Sequence, residues 1–436
     1  MKVFHPILVW VCPDAPGSLT RRWRMRRTQF LAALALSTPL VLAGGCSGAG
    51  ASPLPVFSAP VILNVGSVEP SHQFNLGDVS CVAPGSCTAV GTTYNASFSF
   101  STPVEITEIR GVWGDAHPVP MPAGVDYHEV EQNQLFEVQC FSVGNCVAVG
   151  QYVGTNDIGM PMATSEIDGV WQQAVPIALP ADAISQADNA TGQYPAWLSG
   201  LSCQSMNTCT SVGTYPKTDG TGLMVVNESD GLWQTATEIA MATDYQMEAD
   251  SWSISCSSTI NCTIGGPALN PASGYFASAA TESGGIWDSA SPITMTPASD
   301  IDAISCRSAT TCVAVGYKGA GSHAEPLIYD ESNGAWGESV VTVPQPKGFA
   351  ALLSVSCVSV GNCYVVGDAT NEGHGFVVVD SDGKWLKPIA LPTSGPINAN
   401  LAGANSVSCV SSDSCTILGW RYLPGKAAGS IVWTAR

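Results

Sequence analysis

Val355-Ser356-Cys357-Val358-Ser359-Val360-Gly361-Asn362-Cys363-Tyr364-Val365-Val366-Gly367 reads as a β-hairpin. Apolar residues alternate with serine up to Cys357, a Gly-Asn pair breaks the run, and a second apolar run starts at Cys363. Gly367 then reads as a strand end. The same signature occurs seven times. Apart from Cys12 and Cys46, every cysteine falls in a C-x5-C pair: Cys81/Cys87, Cys140/Cys146, Cys203/Cys209, Cys256/Cys262, Cys306/Cys312, Cys357/Cys363 and Cys409/Cys415. Successive pairs start 59, 63, 53, 50, 51 and 52 residues apart. A period of this length with one supersecondary unit per copy signals an array or a propeller.

Each copy supplies four strands. Strand A ends at the first cysteine, a five-residue turn follows, and strand B runs from the second cysteine to the recurring glycine. Strand C is a short β-branched run such as Phe376 to Val379. A tight turn such as Asp168-Gly169 then leads to a tryptophan, where strand D starts and runs on to a proline, as in Trp171 to Pro180. Asp-Gly between β-rich runs is a strong two-residue hairpin signal. Six such hairpins carry a tryptophan, at 113, 171, 233, 287, 336 and 385. The seventh copy ends at strand C, Gly429 to Thr434. Its missing partner stands at the other end of the chain, where Phe57 to Leu63 reads like Trp171 to Leu179. The expected fold is therefore all-β: a seven-bladed β-propeller of four-stranded blades over residues 54–436, closed by an N-terminal strand. Closure removes sheet edges. An open solenoid would need capping ends that the sequence lacks.

Cysteines six apart across a hairpin turn suit disulfides, which need Cα atoms about 4.4–6.8 Å apart. Each bridge is worth roughly 2–3 kcal/mol. Zinc sites favour a closer spacing with histidine or a second pair nearby, and no copy has that, so no metal is expected from the cysteines. Seven bridges imply an oxidising compartment.

Residues 1–45 read as an address. Arg21-Arg22-Trp23-Arg24-Met25-Arg26-Arg27 precedes an apolar run from Phe30 to Leu42, and Ala43-Gly44-Gly45-Cys46 follows. A basic region, a short apolar region and small residues before a cleavage point make a signal peptide, whose true start is Met25 in one reading. The small residues before Cys46 resemble the lipobox of bacterial lipoproteins. That resemblance implies lipidation of Cys46, a tether over 46–53, and an extracytoplasmic chain held to the cell membrane through its N-terminal lipid alone.

The Asp-Gly-x-Trp turns resemble the Asp boxes of sialidase-like propellers. An Asp box has two residues between Gly and Trp, whereas Gly169-Val170-Trp171 has one, so the likeness implies a hairpin type and not a family. The cysteine repeat is similar to that of uncharacterised secreted actinobacterial propellers. A sialidase needs an arginine triad over one face. Here Arg110 and Arg307 fall in C–D and A–B turns at one end of the strands, and Arg421 follows strand B at the other.

The chain carries 16 Lys+Arg against 35 Asp+Glu. Six of the basic residues and one acidic residue precede Cys46, leaving ten against thirty-four beyond it. Such a surface repels nucleic acid. A–B and C–D turns share one end of the repeats, and B–C and D–A loops share the other. The second end varies in length, with the longest stretches at 120–135 and 180–199, and loops on a rigid scaffold are the usual place for binding.

Three uses of that end compete. In the first, Tyr194 and Trp197 in a long insert, with Asp126, Glu129 and Asp188, recognise an envelope glycan or a secreted protein. In the second, loop carboxylates serve a glycoside hydrolase or lyase. In the third, the acids hold Ca²⁺, although no regular ligand spacing is present. A purely structural envelope role is a further alternative. The first reading is preferred: a non-catalytic binding lipoprotein, a monomer, with no cofactor and no assigned catalytic residue. Tyr152, Tyr215, Tyr317 and Trp420, which follow the strand B glycine, are expected to pack between blades.

Overall fold

The computed structural model describes residues 55–64, 74–94, 101–124, 133–154, 159–184, 195–247, 251–319, 323–341, 350–369, 374–393, 401–422 and 429–435. The first repeat sets the pattern. Strand A (Phe74–Ala83) pairs antiparallel with strand B (Ser86–Tyr94), strand B with strand C (Ser101–Ile109), and strand C with two short D segments, Val112–Trp113 and His117–Pro118. The A–B–C–D order returns through the chain, from Gln134–Ser142 in the second repeat to Leu401–Ser411, Ser414–Tyr422 and Gly429–Thr434 in the seventh. The described chain is all-β with antiparallel sheets, as the alternation of small polar and apolar residues predicts.

All seven C-x5-C pairs are disulfides: Cys81–Cys87, Cys140–Cys146, Cys203–Cys209, Cys256–Cys262, Cys306–Cys312, Cys357–Cys363 and Cys409–Cys415. Two details differ from the sequence expectation. The Cα atoms lie closer than the expected range, at 4.0 Å for Cys81–Cys87 and Cys140–Cys146 and 3.9 Å for Cys256–Cys262 and Cys306–Cys312. The reason is register: each bridge joins residues directly opposite one another on neighbouring strands, as in Cys357↔Cys363. The two cysteines of a pair are also unequal in four of the seven. In these four the strand B cysteine is buried (Cys87, Cys146, Cys262, Cys415) and the strand A cysteine half-buried (Cys81, Cys140, Cys256, Cys409), whereas in Cys203–Cys209, Cys306–Cys312 and Cys357–Cys363 both are buried. Strand B lies inside its sheet, so its cysteine packs into the apolar layer between repeats: Cys146 beside Val138 and Ala148, Cys262 beside Ile254 and Ile264.

The turn beyond each pair is tighter than the five residues expected. Strand A continues past its cysteine through a bulge, strand B begins one residue before its own, and only two residues, such as Pro84-Gly85, lie between them.

The C–D turns are two-residue type I′ turns, which require positive φ at both central positions. The values are 49° and 81° at Asp168-Gly169, 54° and 77° at Asp230-Gly231, and 53° and 78° at Asn333-Gly334. In several repeats the A–B and C–D turns are tied together. The Gly111 N–H donates to the Gly85 carbonyl at 2.9 Å, Gly169 to Gly144 at 2.8 Å, and Gly383 to Gly361 at 3.0 Å.

Two strand ends also differ from expectation. Strand D is interrupted after its tryptophan in most repeats and runs unbroken only in the fifth, Ala335–Val340. The recurring glycine does not end strand B but lies inside it, in six repeats opposite a bulge in strand A. A Cβ at Gly213 would stand 1.9 Å from the Trp197 carbonyl oxygen, and one at Gly150 2.0 Å from that of Gln134. The bulge pushes a carbonyl into the space a side chain would occupy, so only glycine fits.

Apolar residues gather between successive repeats. One cluster joins Val147 and Ile177 of the second repeat to Leu198, Cys209 and Trp233 of the third. Another joins Leu63, Leu418 and Val432 to Phe74, Leu76 and Ile106, and so links the last repeat to the first. Each tryptophan of a C–D hairpin packs against the preceding repeat. In the seventh repeat Phe57 takes that place. It bridges to Ala435, is buried with Tyr364 and Val379, and leads into Val61–Ile62, which pairs with strand C at Val432 and Ile431.

Candidate functional site

The A–B and C–D turns sit at one end of the strands, and each is two residues long. The connections at the other end differ from repeat to repeat. They range from two residues (218–219) to twenty (177–196), with fifteen at 119–133. This end is the candidate recognition face. By sequence Asp126 and Glu129 fall in the 119–133 connection and Asp188 and Tyr194 in the 177–196 connection; these four, and Cys46, lie outside the described residues. Trp197 is described and is not in the insert. It opens strand A of the third repeat (Trp197–Ser205), pairs with Thr214 and is half-buried. Its alternation with Leu198, which is buried, continues the strand pattern back to its own position, so it stands where the insert meets the scaffold.

The aromatics that follow the strand B glycine pack as expected where they are best enclosed. Tyr215 and Tyr152 are buried in inter-repeat clusters. The Tyr215 ring covers Gly222, and its hydroxyl donates to Asp182 at 3.0 Å. The Trp420 indole lies against Gly403. Asp182 is thus held by the scaffold at the start of the longest insert. Arg110 and Arg307 lie at the disulfide end and Arg421 at the opposite end, as anticipated from the strand directions.

The A strands carry a polar ladder. The N–H of a first cysteine donates to the serine that precedes the cysteine of the neighbouring repeat: Cys140 to Ser80 at 3.0 Å, Cys256 to Ser202 at 2.9 Å, Cys306 to Ser255 at 2.8 Å, Cys409 to Ser356 at 3.1 Å. In the second repeat Gln139 replaces the serine and accepts from Cys203 at 2.7 Å. Two positions earlier stands a second ladder, in which Asp78 accepts from the Val138 N–H at 3.0 Å and from the Ser406 hydroxyl at 2.6 Å. Glu137 lies beside Asp78. Enclosure, first, and the neighbouring Asp78 carboxylate push the Glu137 carboxyl well above its ordinary range.

Sequence reading missed a recurring set of buried acids. Glu108, Glu166, Glu228, Glu282, Glu331 and Asp380 each lie directly across from the hairpin tryptophan of their own repeat. All six are buried, and each has one carboxyl oxygen without a hydrogen-bond partner among the described residues. Burial raises every one of them. Glu166 reaches about 7, aided by the nearby Glu105 carboxylate, and Glu228 also reaches about 7. Glu105 itself accepts from Thr107 at 3.0 Å and meets His117 at 3.1 Å. The signal was present as acid-x-x-Gly-x-Trp in six copies. These carboxyls lie beside the C–D turns, at the end away from the variable loops. Among the described residues no cluster of three metal-ligating side chains occurs.

One groove of about 680 Å³ opens beside Val61 and Ile62, where the N-terminal segment meets the first repeat. Glu108, Arg110, Trp113 and Thr416 line it, and the Asn64 amide donates to Asp115 across it at 3.1 Å.

No family model matches the chain, and no curated protein does. Several solved structures resemble it. A protein of unknown function from Dyadobacter fermentans is 10% identical, with 88% of this chain and 100% of that chain covered and a TM-score of 0.47. A polysaccharide lyase of family PL25, an ulvan lyase, is 9% identical over 85% of this chain and 92% of that chain, with a TM-score of 0.49. The alpha-L-arabinanase of Penicillium chrysogenum is 10% identical over 87% of this chain and 98% of that chain, with a TM-score of 0.47. At about one identical residue in ten, these likenesses assign no activity to this chain.

Proposed function

We propose that the seven repeats form a closed seven-bladed β-propeller, exported behind a signal peptide and anchored through lipidated Cys46, that binds an envelope glycan or a secreted protein through its B–C/D–A loop face. Closure is supported by the hydrogen bond from Cys81 to Ser408, by the pairing of Val61–Ile62 with strand C of the seventh repeat, and by the apolar cluster shared by the last repeat and the first. The binding role rests on one contrast. The turns at the disulfide end keep a length of two residues throughout, while the connections at the opposite end run from two to twenty. A scaffold that is uniform at one end and varied at the other has its specificity in the varied end.

Tyr194 and Asp188 lie in the 177–196 connection, with Trp197 at its edge, and Asp126 and Glu129 lie in the 119–133 connection. Aromatic faces stack on sugar rings or on partner side chains with little entropy loss, and the acids accept hydrogen bonds from hydroxyls or basic groups. The test is a binding screen of the full chain under oxidising conditions against purified envelope polysaccharides and the host's secreted proteins. Saturable binding that Tyr194→Ala weakens at unchanged melting temperature is the expected result. Binding that survives replacement of both long connections would refute it.

A further inference from the structure

We propose that the groove at the junction of the last repeat and the first binds a short neutral saccharide. The site is separate from the loop face and does not depend on the binding role assigned there.

The groove arises where the seventh repeat departs from the others. Elsewhere the residue of strand C opposite the strand B cysteine is an acid: Glu108 faces Cys87, Glu166 faces Cys146, Glu228 faces Cys209 and Asp380 faces Cys363. In the seventh repeat Ala435 holds that place, and its N–H donates to the Cys415 carbonyl at 2.8 Å. Phe57 and Val61–Ile62 act as strand D there, so no two-residue turn joins strands C and D beside Ser414. A methyl group stands where other repeats have a carboxyl side chain, and a turn is missing. Between the third and fourth repeats the space beside Thr208, Cys209, Thr210 and Glu228 is about 120 Å³. The corresponding space beside Ser414, Cys415, Thr416 and Ala435 is about 680 Å³. Sites for small ligands run from about 300 to 1,000 Å³.

The wall contributed by the first repeat selects the ligand. Glu108 lines the groove although it is only 3% exposed, and one of its carboxyl oxygens has no hydrogen-bond partner among the described residues. A buried acceptor of this kind is costly until a donor reaches it. Trp113, directly across from Glu108, adds aromatic surface to the same wall. Arg110 brings a guanidinium, and the Asn64 amide holds Asp115 at 3.1 Å. Charges of both signs therefore line one groove. A cation meets Arg110, an anion meets Asp115, and an apolar compound strips water from both without replacing its hydrogen bonds. A neutral polyol uses all of them. Its hydroxyls both donate and accept, so they serve the carboxyls, the guanidinium and the amide, and the C–H face of a sugar ring suits an indole.

The experiment is titration calorimetry on the full chain with its disulfides intact. The probes are neutral mono- and disaccharides of hexoses, pentoses, deoxyhexoses and N-acetylhexosamines. Glu108→Gln keeps the size of the side chain and changes its hydrogen bonding. Arg110→Asp removes the guanidinium and gives this turn the Asp-Gly pair of Asp168-Gly169, whose φ values, 49° and 81°, match the 54° and 80° found here. Glu228→Gln is the control, the same acid across from a hairpin tryptophan but beside the small space. The proposal expects saturable binding of at least one probe. Its affinity falls about tenfold in each groove variant, as for loss of a hydrogen bond to a charged group, and is unchanged in Glu228→Gln. Melting temperatures report that each variant is folded. No binding of any probe up to about 10 mM overturns the proposal. So does binding that either groove variant leaves unchanged, or that Glu228→Gln weakens equally. Binding lost only when the 177–196 connection is shortened belongs to the loop face and also overturns it.

Discussion

The backbone N–H of Cys81 donates to the Ser408 hydroxyl at 2.9 Å, across 327 positions of sequence. The same bond joins Cys409 to Ser356 between repeats that adjoin in the chain. If the ends of the chain meet as one more ordinary interface, the two bonds have equal worth. Ser408→Ala and Ser356→Ala should each cost about 1 kcal/mol, the usual net value of a hydrogen bond. Denaturant unfolding of the two variants checks this. A large effect at Ser356 with none at Ser408 would show an open chain.

Phe57 stands where the other repeats place a tryptophan, packed with Tyr364, Val379 and Ala435. Phe57→Ala removes a buried ring from that cluster and should cost about 3–5 kcal/mol. Val56→Ala, one residue earlier and exposed, should leave the melting temperature unchanged. Calorimetry on both variants gives the comparison.

The strand B glycine and the C–D turn glycine are required by different physics within this one chain. At Gly213 a Cβ would meet backbone 1.9 Å away, and at Gly111 it would meet nothing within 4 Å, although φ there is 80°. Gly111→Ala should cost about 1–2 kcal/mol in backbone strain. Gly213→Ala should cost clearly more, because a strand must move. Thermal unfolding ranks the two, and a smaller loss at Gly213 would contradict the bulge geometry.

Much of this architecture was legible in the sequence because it repeats. The cysteine pairs, the Asp-Gly turns and the match of Phe57 to Trp171 each follow from a local rule applied several times. Spacing gave the pairing of the cysteines but not the unequal burial of four pairs, because enclosure of Cys87, Cys146, Cys262 and Cys415 depends on the neighbouring repeat. The bulge in strand A was not legible, since no residue type marks it, and so Gly213 and its equivalents read as strand ends. The break in strand D was hidden for the same reason. The buried acids were overlooked although Glu108, Glu166 and Glu228 recur in step with the tryptophans, because a charged residue beside a turn reads as solvated. Trp197 read as part of the insert, although strand A of the third repeat starts six residues before Cys203, the same distance as Gln134 before Cys140. The loop residues Asp126, Glu129, Asp188 and Tyr194 belong to no repeat, and no periodicity fixes their placement.

Those buried acids set the pH dependence of stability. Glu166 and Glu228 titrate at about 7 in the folded chain, above the 4.5 of an unperturbed glutamate, and Glu108, Glu282, Glu331 and Asp380 are raised as well. Between those values the folded chain holds protons that the unfolded chain has released. Stability therefore falls as pH rises from about 4.5 to about 7 and stays low above it. The melting temperature should be higher at pH 5 than at pH 8. Glu228→Gln should raise it at pH 8 and flatten the slope. A protein more stable at pH 8, with Glu228→Gln neutral, would contradict this account.

The most direct test of the central claim is an affinity measurement with the full chain, its disulfides intact, against envelope polysaccharides and secreted proteins of its host. The parent is compared with Tyr194→Ala and with a variant whose 177–196 connection is replaced by a short turn. The account predicts saturable binding by the parent and loss of that binding in the shortened variant, with the melting temperature preserved. Binding that persists in the shortened variant and in one with the 119–133 connection likewise replaced would contradict it.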